Sequence, residues 1–102
     1  MGAALDRPED AVPLTEDDFL TRLAVDGFLE VERKTIAGGT ALGEHQHAWD
    51  ARLYVVEGRL VLGEGASVRA YEAGEVLEVP RERVHTEHYD AGDTRLIIGR
   101  RR

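Results

Sequence analysis

The sequence predicts an all-β domain, a sandwich or barrel of short antiparallel strands, preceded by one short helix. Runs of β-branched and other apolar residues recur at intervals of about 8 to 12 residues, and glycine, proline or aspartate separates each run from the next. A helical pattern occurs once, near the start. The chain has 102 residues, the length of a single domain, and contains no internal repeat.

The first 13 residues predict an irregular arm, because Pro8, Pro13 and several charges leave no apolar periodicity. A helix signal begins at Thr15, where the threonine and the three acidic residues after it resemble a capping box. The apolar residues that follow are spaced for one buried face: Phe19, Leu20 and Leu23. Gly27 is the expected stop.

From residue 28 onward, apolar and polar positions alternate with the period of a strand. Turn residues such as those at 57–59 and 90–93 separate the runs. The predicted strands cover residues 28–36, 42–47, 53–56, 60–62, 67–71, 76–79, 84–89 and 94–98.

Composition narrows the classes of function. The formal net charge of −7 repels a phosphate backbone, so we expect no nucleic-acid partner. No apolar stretch approaches the ~18 residues of a membrane span, and the first residues lack the apolar run of a signal peptide. Together with the absence of cysteine, these features predict a cytoplasmic protein without membrane association. The arginines at 100–102 predict a solvated end.

The four histidines form two tight clusters rather than a scatter. His45 and His47 stand two residues apart, so on a strand their side chains point to the same face of a sheet. Neutral imidazole is the commonest protein ligand for transition metals, and two converging rings form half of a metal site. Taken alone, the pair is equally compatible with a polar patch on a half-exposed sheet face.

The second histidine cluster lies on the strand predicted over residues 84–89. Alternation places His85, Glu87 and Tyr89 on one face of this strand and His88 on the other. Glu87 is therefore a candidate metal ligand or general base, with an exposed surface carboxylate as the alternative. The Tyr89 hydroxyl is a candidate donor to a substrate oxygen, with a rim position at the strand end as the alternative. We expect His88 to lie at the surface.

Glycines and a proline accompany the histidines at regular spacings. The residues of the first group are Gly39, His45, His47 and Gly58, and those of the second are Gly74, Pro80 and His85. Five residues separate each leading glycine from the histidine pair or the proline that follows it. This joint spacing resembles the two sequence motifs of the cupin superfamily, and the flanking strand pattern extends the match from about residue 28 to the end.

The resemblance implies a fold and a cofactor. The fold is the double-stranded β-helix, or jelly-roll β-barrel, which would make residues 1–102 a single cupin-like domain. His45, His47 and His85 would bind a divalent transition metal, one of Fe, Mn, Ni, Zn, Cu or Co, among which the sequence does not choose. A small-molecule substrate or ligand would occupy the barrel mouth. The resemblance also implies a homodimer.

The sequence departs from the family pattern at three positions. Ala51 stands where the resemblance places an acidic metal ligand, Glu82 where it places a glycine, and Tyr89 where it places an asparagine. The missing carboxylate leaves open what completes the metal shell. Glu87 faces the expected site, Asp50 would need a bend in the chain to reach it, and water is the third alternative.

Two further side chains near the expected site have alternative roles. Trp49 shares the parity of the histidine pair, and it would either line the pocket mouth or pack in the core. Arg52 could attract an acidic substrate, but its parity opposes the ligand face, which favours a surface role.

Two classes of function fit such a site. The first is a metal-dependent enzyme, an oxygenase or a lyase/isomerase, because three imidazoles leave coordination positions open and Glu87 would accept a proton. The second is a non-catalytic cupin that binds a metal or small ligand as a sensor or accessory protein. The loss of the acid at Ala51 favours the second class, whereas the intact histidines with Glu87 favour the first.

Overall fold

The computed structural model describes residues 14–102, and the arm predicted over residues 1–13 lies outside them. The described chain forms one helix and eight strands, as the sequence predicts, with ends displaced by a few residues. They are α1 (Glu16–Val25), β1 (Glu30–Ile36), β2 (Ala41–His45), β3 (Asp50–Glu57), β4 (Arg59–Glu64), β5 (Ser67–Glu72), β6 (Val76–Val79), β7 (His85–Tyr89) and β8 (Thr94–Arg101). No helix in this part of the chain is long and apolar enough to cross a lipid bilayer.

The strands form two antiparallel sheets of four strands each. The first sheet has the order β1-β8-β3-β6, and the second sheet has the order β2-β7-β4-β5. Successive strands mostly alternate between the two sheets, which is the double-stranded β-helix, or jelly roll, that the resemblance implied. Strands β1 and β2 each lie at an edge of their sheet.

Helix α1 begins where the sequence predicts. The Thr15 hydroxyl accepts a hydrogen bond of 3.1 Å from the backbone N–H of Asp18, which caps the first turn. After the helix, Gly27 has a φ of +83°, a left-handed conformation that glycine adopts without strain. The apolar face of the helix packs on the outer face of the first sheet. This cluster consists of Phe19, Leu23, Phe28, Tyr54 and Ile97.

The main core lies between the two sheets and follows the alternation of the strands. Its residues are Ala51, Leu53, Val55, Leu60, Leu62, Tyr71, Leu77, Val79, Tyr89, Leu96 and Ile98. On β3, Leu53 and Val55 point inward, whereas Tyr54 between them points to the helix. Strands β3 and β8 are therefore packed on both faces, and they form a buried wall for the cavity described below.

Strand β8 is longer than predicted and includes two of the arginines at its end. It continues to Arg101 because β1 and β3, its two neighbours, supply pairing partners that far along the chain. Arg101 Nη2 lies 3.0 Å from Asp50 Oδ2, and Arg102 Nε lies 2.6 Å from Glu30 Oε1. These arginines are partly exposed, but strand pairing and ion pairs attach them to the fold, which the prediction of a solvated end did not include.

Candidate metal centre

A cavity of about 210 Å³ opens between the two sheets, and both edge strands contribute to its lining. One wall comes from β2 and β7 of the second sheet, and the opposite wall comes from the first sheet. Its ionisable lining residues are His45, His47, His85, Glu87, Tyr89, Lys34 and Arg100. A concave, mainly apolar cavity with a few converging polar groups is typical of a small-molecule site.

A β-bulge aims His45 into this cavity. Strands β2 and β7 pair in one register at Leu42, opposite Glu87, and in a shifted register at His45, opposite His85. Under regular alternation from Leu42, His45 would point away from the cavity, so the shift reverses its direction. The strand ends at His45, and His47 belongs to the loop that follows. The predicted strand is thus two residues too long, although both rings line the cavity.

Strand β7 presents its side chains as predicted. His85, Glu87 and Tyr89 line the cavity, and His88 is exposed on the opposite face. The His85 side chain is fully buried, and the Glu87 side chain is 16% exposed. Tyr89 packs in the main core rather than at the rim.

His45, His85 and Glu87 bring three potential ligand atoms together. Glu87 Oε2 lies 3.3 Å from His45 Nε2 and 3.3 Å from His85 Nε2. The ligand atoms of the three residues lie within 4.8 Å of one another, close enough to surround one metal ion. This group is the candidate metal centre.

Hydrogen bonds of the imidazole rings determine which nitrogen atoms remain free. His45 Nδ1 lies 2.7 Å from the carbonyl oxygen of Gly43, and His85 Nδ1 lies 2.8 Å from that of Arg83. Because a carbonyl oxygen only accepts hydrogen bonds, each Nδ1 carries a proton and donates it. In the neutral rings, each Nε2 then holds a lone pair beside the Glu87 carboxylate.

When its ring is neutral, His85 leaves a buried acceptor without a donor in this group. His85 Nε2 is buried and has no hydrogen-bond partner among residues 14–102. Its 3.3 Å neighbour, Glu87 Oε2, is an acceptor like itself, and a buried acceptor without a donor is costly. A divalent cation between the donors removes that cost, and ring N–H groups bonded to backbone carbonyls commonly support metal-bound histidines. The residues present therefore fit a transition-metal ion.

His47 stands beside this group without joining it. Its ring centre lies 5.2 Å from that of His85 and 6.3 Å from that of His45. Its Nδ1 lies 3.2 Å from the Trp49 carbonyl oxygen, so its Nε2 is also free to bind a ligand. The Trp49 ring stacks on His47 at 4.9 Å, lines the cavity and packs against the main core. Trp49 thus combines the two roles that the sequence left open.

Tyr89 holds the other oxygen of Glu87. Its hydroxyl donates a hydrogen bond of 2.5 Å to Glu87 Oε1, which leaves Oε2 to face the imidazoles. Burial raises the pKa of the Tyr89 hydroxyl, and the hydrogen bond and charge of Glu87 raise it further. The hydroxyl therefore stays protonated and orients the carboxylate.

The start of β3 contains Asp50 and Ala51, the two positions considered for an acidic ligand. Ala51 lines the cavity, whereas Asp50 forms ion pairs with Arg101 at 3.0 Å and Arg81 at 3.4 Å. The backbone N–H of Arg81, followed by the two guanidinium groups, lowers the pKa of Asp50 to about 2. Arg52 is also paired with acids away from the cavity, in the surface role expected. Glu87, rather than Asp50, is the acid beside the histidines.

Two cationic side chains line the cavity that the spacing of the histidines did not predict. Lys34 is the single lysine of the sequence, and it lines the cavity together with Ile36, two residues further along β1. Arg100 lines the same wall from β8. Strand parity could have placed Lys34 on the face of Ile36, but only the pairing of β1 with β8 places both cations opposite the histidines.

Known proteins share this fold. A family model described as cupin domain matches residues 33–98. A chain from the crystal structures of the DMSP lyases RdDddP and RnDddQII has 20% identity and a TM-score of 0.64, over 71% of this chain and 37% of that one. A Cupin 2 conserved barrel domain protein from Salinispora arenicola has 20% identity and a TM-score of 0.63, over 71% of this chain and 61% of that one.

A third structure, a cupin-2 domain containing protein from Shewanella frigidimarina, has 24% identity and a TM-score of 0.60, over 70% of this chain and 69% of that one. No curated protein matches the sequence. This chain spans well under half of the lyase chain and about three fifths of the Salinispora chain. At these identities, the structural likeness concerns the fold.

Proposed function

This chain belongs to the cupin domain family, and we propose that it is a metal-dependent enzyme acting on a small molecule. His45 and His85 would hold a divalent transition metal, the free Nε2 of the neighbouring His47 would complete the ligands, and Glu87 would lie beside the ion as a base. The supporting observation is the buried His85 Nε2, which has no hydrogen-bond partner among residues 14–102. Glu87 Oε2 lies 3.3 Å from this atom and 3.3 Å from His45 Nε2. A metal held by three imidazoles keeps open positions, as a catalytic metal requires.

The residues of the chain have separate tasks in this proposal. The imidazoles would hold the ion through Nε2, while their Nδ1–H groups donate to backbone carbonyls and keep the rings oriented. When bound, the ion supplies Lewis-acid activation of a carbonyl or carboxylate, or dioxygen chemistry if it is redox-active. The mainly apolar lining of the cavity limits the access of water to the reacting groups.

Glu87 is the residue to which we assign proton transfer. Its Oε2 would accept a proton from a substrate carbon, while Tyr89 keeps Oε1 in a fixed position. This arrangement favours a lyase or isomerase over an oxygenase, because those reactions use a base beside the metal.

Hydrogen exchange tests the reaction class. Protein loaded with Zn²⁺ is incubated in D₂O with 1,3-diketones and hydroxy acids, and NMR follows the loss of carbon-bound hydrogen. We expect exchange with the unchanged protein and none with Glu87→Gln, which still binds Zn²⁺. Glu44→Gln, an exposed position on β2, serves as the control and keeps the exchange. Oxygen consumption by Fe²⁺-loaded protein without exchange would identify an oxygenase instead.

A non-catalytic cupin, which binds a metal or small ligand as a sensor or accessory protein, is the second candidate. Ala51 favours it, because a methyl group stands where the resemblance places an acidic ligand. Absence of both exchange and oxygen consumption across the same compounds, with the metal loaded, would support this candidate.

We also propose that the protein forms a homodimer. Strands β1 and β2 are edge strands, and on one side of each no strand of residues 14–102 pairs with it. Leu29 and Val31, in and beside β1, are apolar but 77% and 48% exposed. Sedimentation equilibrium should give twice the chain mass of 11.3 kDa. A mass equal to that of one chain at micromolar concentrations would contradict the proposal.

A further inference from the structure

We propose that the ligand of this cavity is a small organic acid, whose carboxylate is bound by Lys34 and Arg100 while its other end reaches the histidine centre. This inference deepens the proposed function and rests on it for the second contact. It is carried by the wall of the first sheet, which faces the candidate metal centre.

The wall is apolar except for these two cations. Ile36, Leu96 and Ile98 are among its lining residues. On β1, Lys34 lies opposite Leu96 of β8, and on β8, Arg100 lies opposite Ala51 of β3. Because Leu96 and Ala51 line the cavity, the paired positions of Lys34 and Arg100 face it too. Lys34 is exposed on the edge strand β1, whereas the Arg100 side chain is only 23% exposed, so water screens the charge of Arg100 less than that of Lys34.

Ion pairs on the inner face of β1 leave Lys34 as the surplus charge. Glu30 lies 2.6 Å from Arg102, and Glu32 lies 2.9 Å from Arg100. Within residues 14–102, no carboxylate lies within 4.0 Å of the Lys34 ammonium. In a chain with a formal net charge of −7, a cavity cation that has no ion-pair partner among the described residues favours an anionic ligand.

Arg100 is the second cation of this wall, and it pairs with Glu30 of β1, four residues before Lys34. Its side chain is 23% exposed, and Glu32 Oε1 occupies only its Nη1 at 2.9 Å. The remaining N–H groups of the guanidinium are available to a carboxylate, whose planar shape matches the guanidinium fork. Because Ala51, its partner on β3, is a methyl group, the neighbouring space stays open to a ligand.

Cavity size limits the acid to a few carbon atoms. A volume of about 210 Å³ falls below the range of roughly 300–1,000 Å³ that is typical of drug-sized ligands. A short aliphatic acid with a second oxygen group for the metal fits the volume of the cavity. Its carboxylate matches the charge of Lys34, and its carbon chain matches the apolar wall.

The test compares acids with their amides. Malonate, succinate, glutarate and adipate are titrated into Zn²⁺-loaded protein by calorimetry, and the tightest binder is compared with its monoamide. We expect the diacid to bind about tenfold more tightly, the gain from a charge-assisted hydrogen bond. Lys34→Gln should reduce this preference severalfold, because Arg100 remains. Arg33→Gln removes the same charge from the opposite face of β1, where Arg33 contacts Glu16 of the helix, and should retain it.

A double variant tests Arg100 without leaving Glu32 unpaired. Glu32→Gln/Arg100→Gln conserves net charge and should also weaken binding of the diacid more than that of the monoamide. Equal affinities of acid and monoamide, equal losses in the Lys34 and Arg33 variants, or binding of none of the acids would overturn the inference. Failure of the metal proposal is separate: it shows as absence of bound Zn²⁺, and the same comparison on metal-free protein then still tests Lys34.

Discussion

At the scale of single residues, the site depends on the hydrogen bonds that each side chain makes away from its centre. The three histidines donate Nδ1–H to the carbonyls of Gly43, Trp49 and Arg83, and these bonds free the Nε2 atoms. Sequence reasoning identifies the side chains and the parity of β7. It does not identify the carbonyl partners, because those depend on loop conformations that residue types leave undetermined.

Removal of the Tyr89 hydroxyl tests its role in holding Glu87. Tyr89→Phe keeps the ring in the core but leaves Glu87 Oε1 without its donor, so we expect a loss of about 1 to 2 kcal/mol in the free energy of unfolding. Tyr71→Phe is the control, since Tyr71 belongs to the same core. Urea denaturation of both variants measures the effect, and equal losses would contradict the assigned role.

Asp50, the carboxylate that lies outside the site, should affect the stability of the fold at low pH. The pKa of Asp50 is about 2 in the folded protein and near 3.8 without its arginine partners. Its ionised form therefore stabilises the fold above about pH 3.8, and this contribution is lost as the pH falls through 2. Asp50→Asn should lower the melting temperature at pH 7 and approach the unchanged protein near pH 2. A difference that is constant across this range would disprove the assignment.

At the scale of elements, the β2 bulge decides whether His45 can take part in the site. The period-two pattern predicts that strands exist, and it predicts which residues of β7 share a face. It does not predict the register shift between Leu42 and His45, because a shift arises from pairing with a distant strand. The shifted register brings His45 into the cavity, and the prediction of one regular strand through His47 is wrong.

The turn between β3 and β4 has a glycine that the fold requires. Gly58 has a φ of +96°, and a Cβ there would lie 2.6 Å from Thr94 Oγ1 and 2.7 Å from Thr94 Cα. Gly58→Ala should cost roughly 2 to 4 kcal/mol of unfolding free energy, from backbone strain and overpacking combined. Gly65→Ala, at φ +61° with open space, carries only the strain and should cost about 1 kcal/mol. Equal costs in chemical denaturation would show that the Thr94 contact is unimportant.

At the scale of the whole molecule, the jelly roll places the wall that carries Lys34 and Arg100 opposite the wall that carries the candidate metal ligands. The family resemblance supplied this fold, and the strand spacing alone led only to a sandwich or barrel. Lys34 and Arg100 come together with the histidines through the order β1-β8-β3-β6. That juxtaposition involves residues far apart in sequence, so local patterns could not reveal it.

A bound metal should stabilise the whole fold, because the ion binds the folded site and not the unfolded chain. At a Zn²⁺ concentration of about 100 times Kd, the expected gain is about 2.7 kcal/mol, visible as a higher melting temperature. The gain should disappear toward about pH 4.5, since imidazole must be deprotonated to bind a metal. An undiminished gain at the lower pH would argue for a site without histidines.

The most direct measurement is the transition-metal content of the protein, purified without added metal and then titrated with Zn²⁺ under calorimetry. We expect one metal per chain, in the purified protein or on titration, and none for His85→Ala, which removes the buried Nε2 at the centre of the site. His88→Ala, on the exposed face of the same strand, should bind as the unchanged protein does. No metal in the purified protein and no binding on titration would contradict the proposed metal centre.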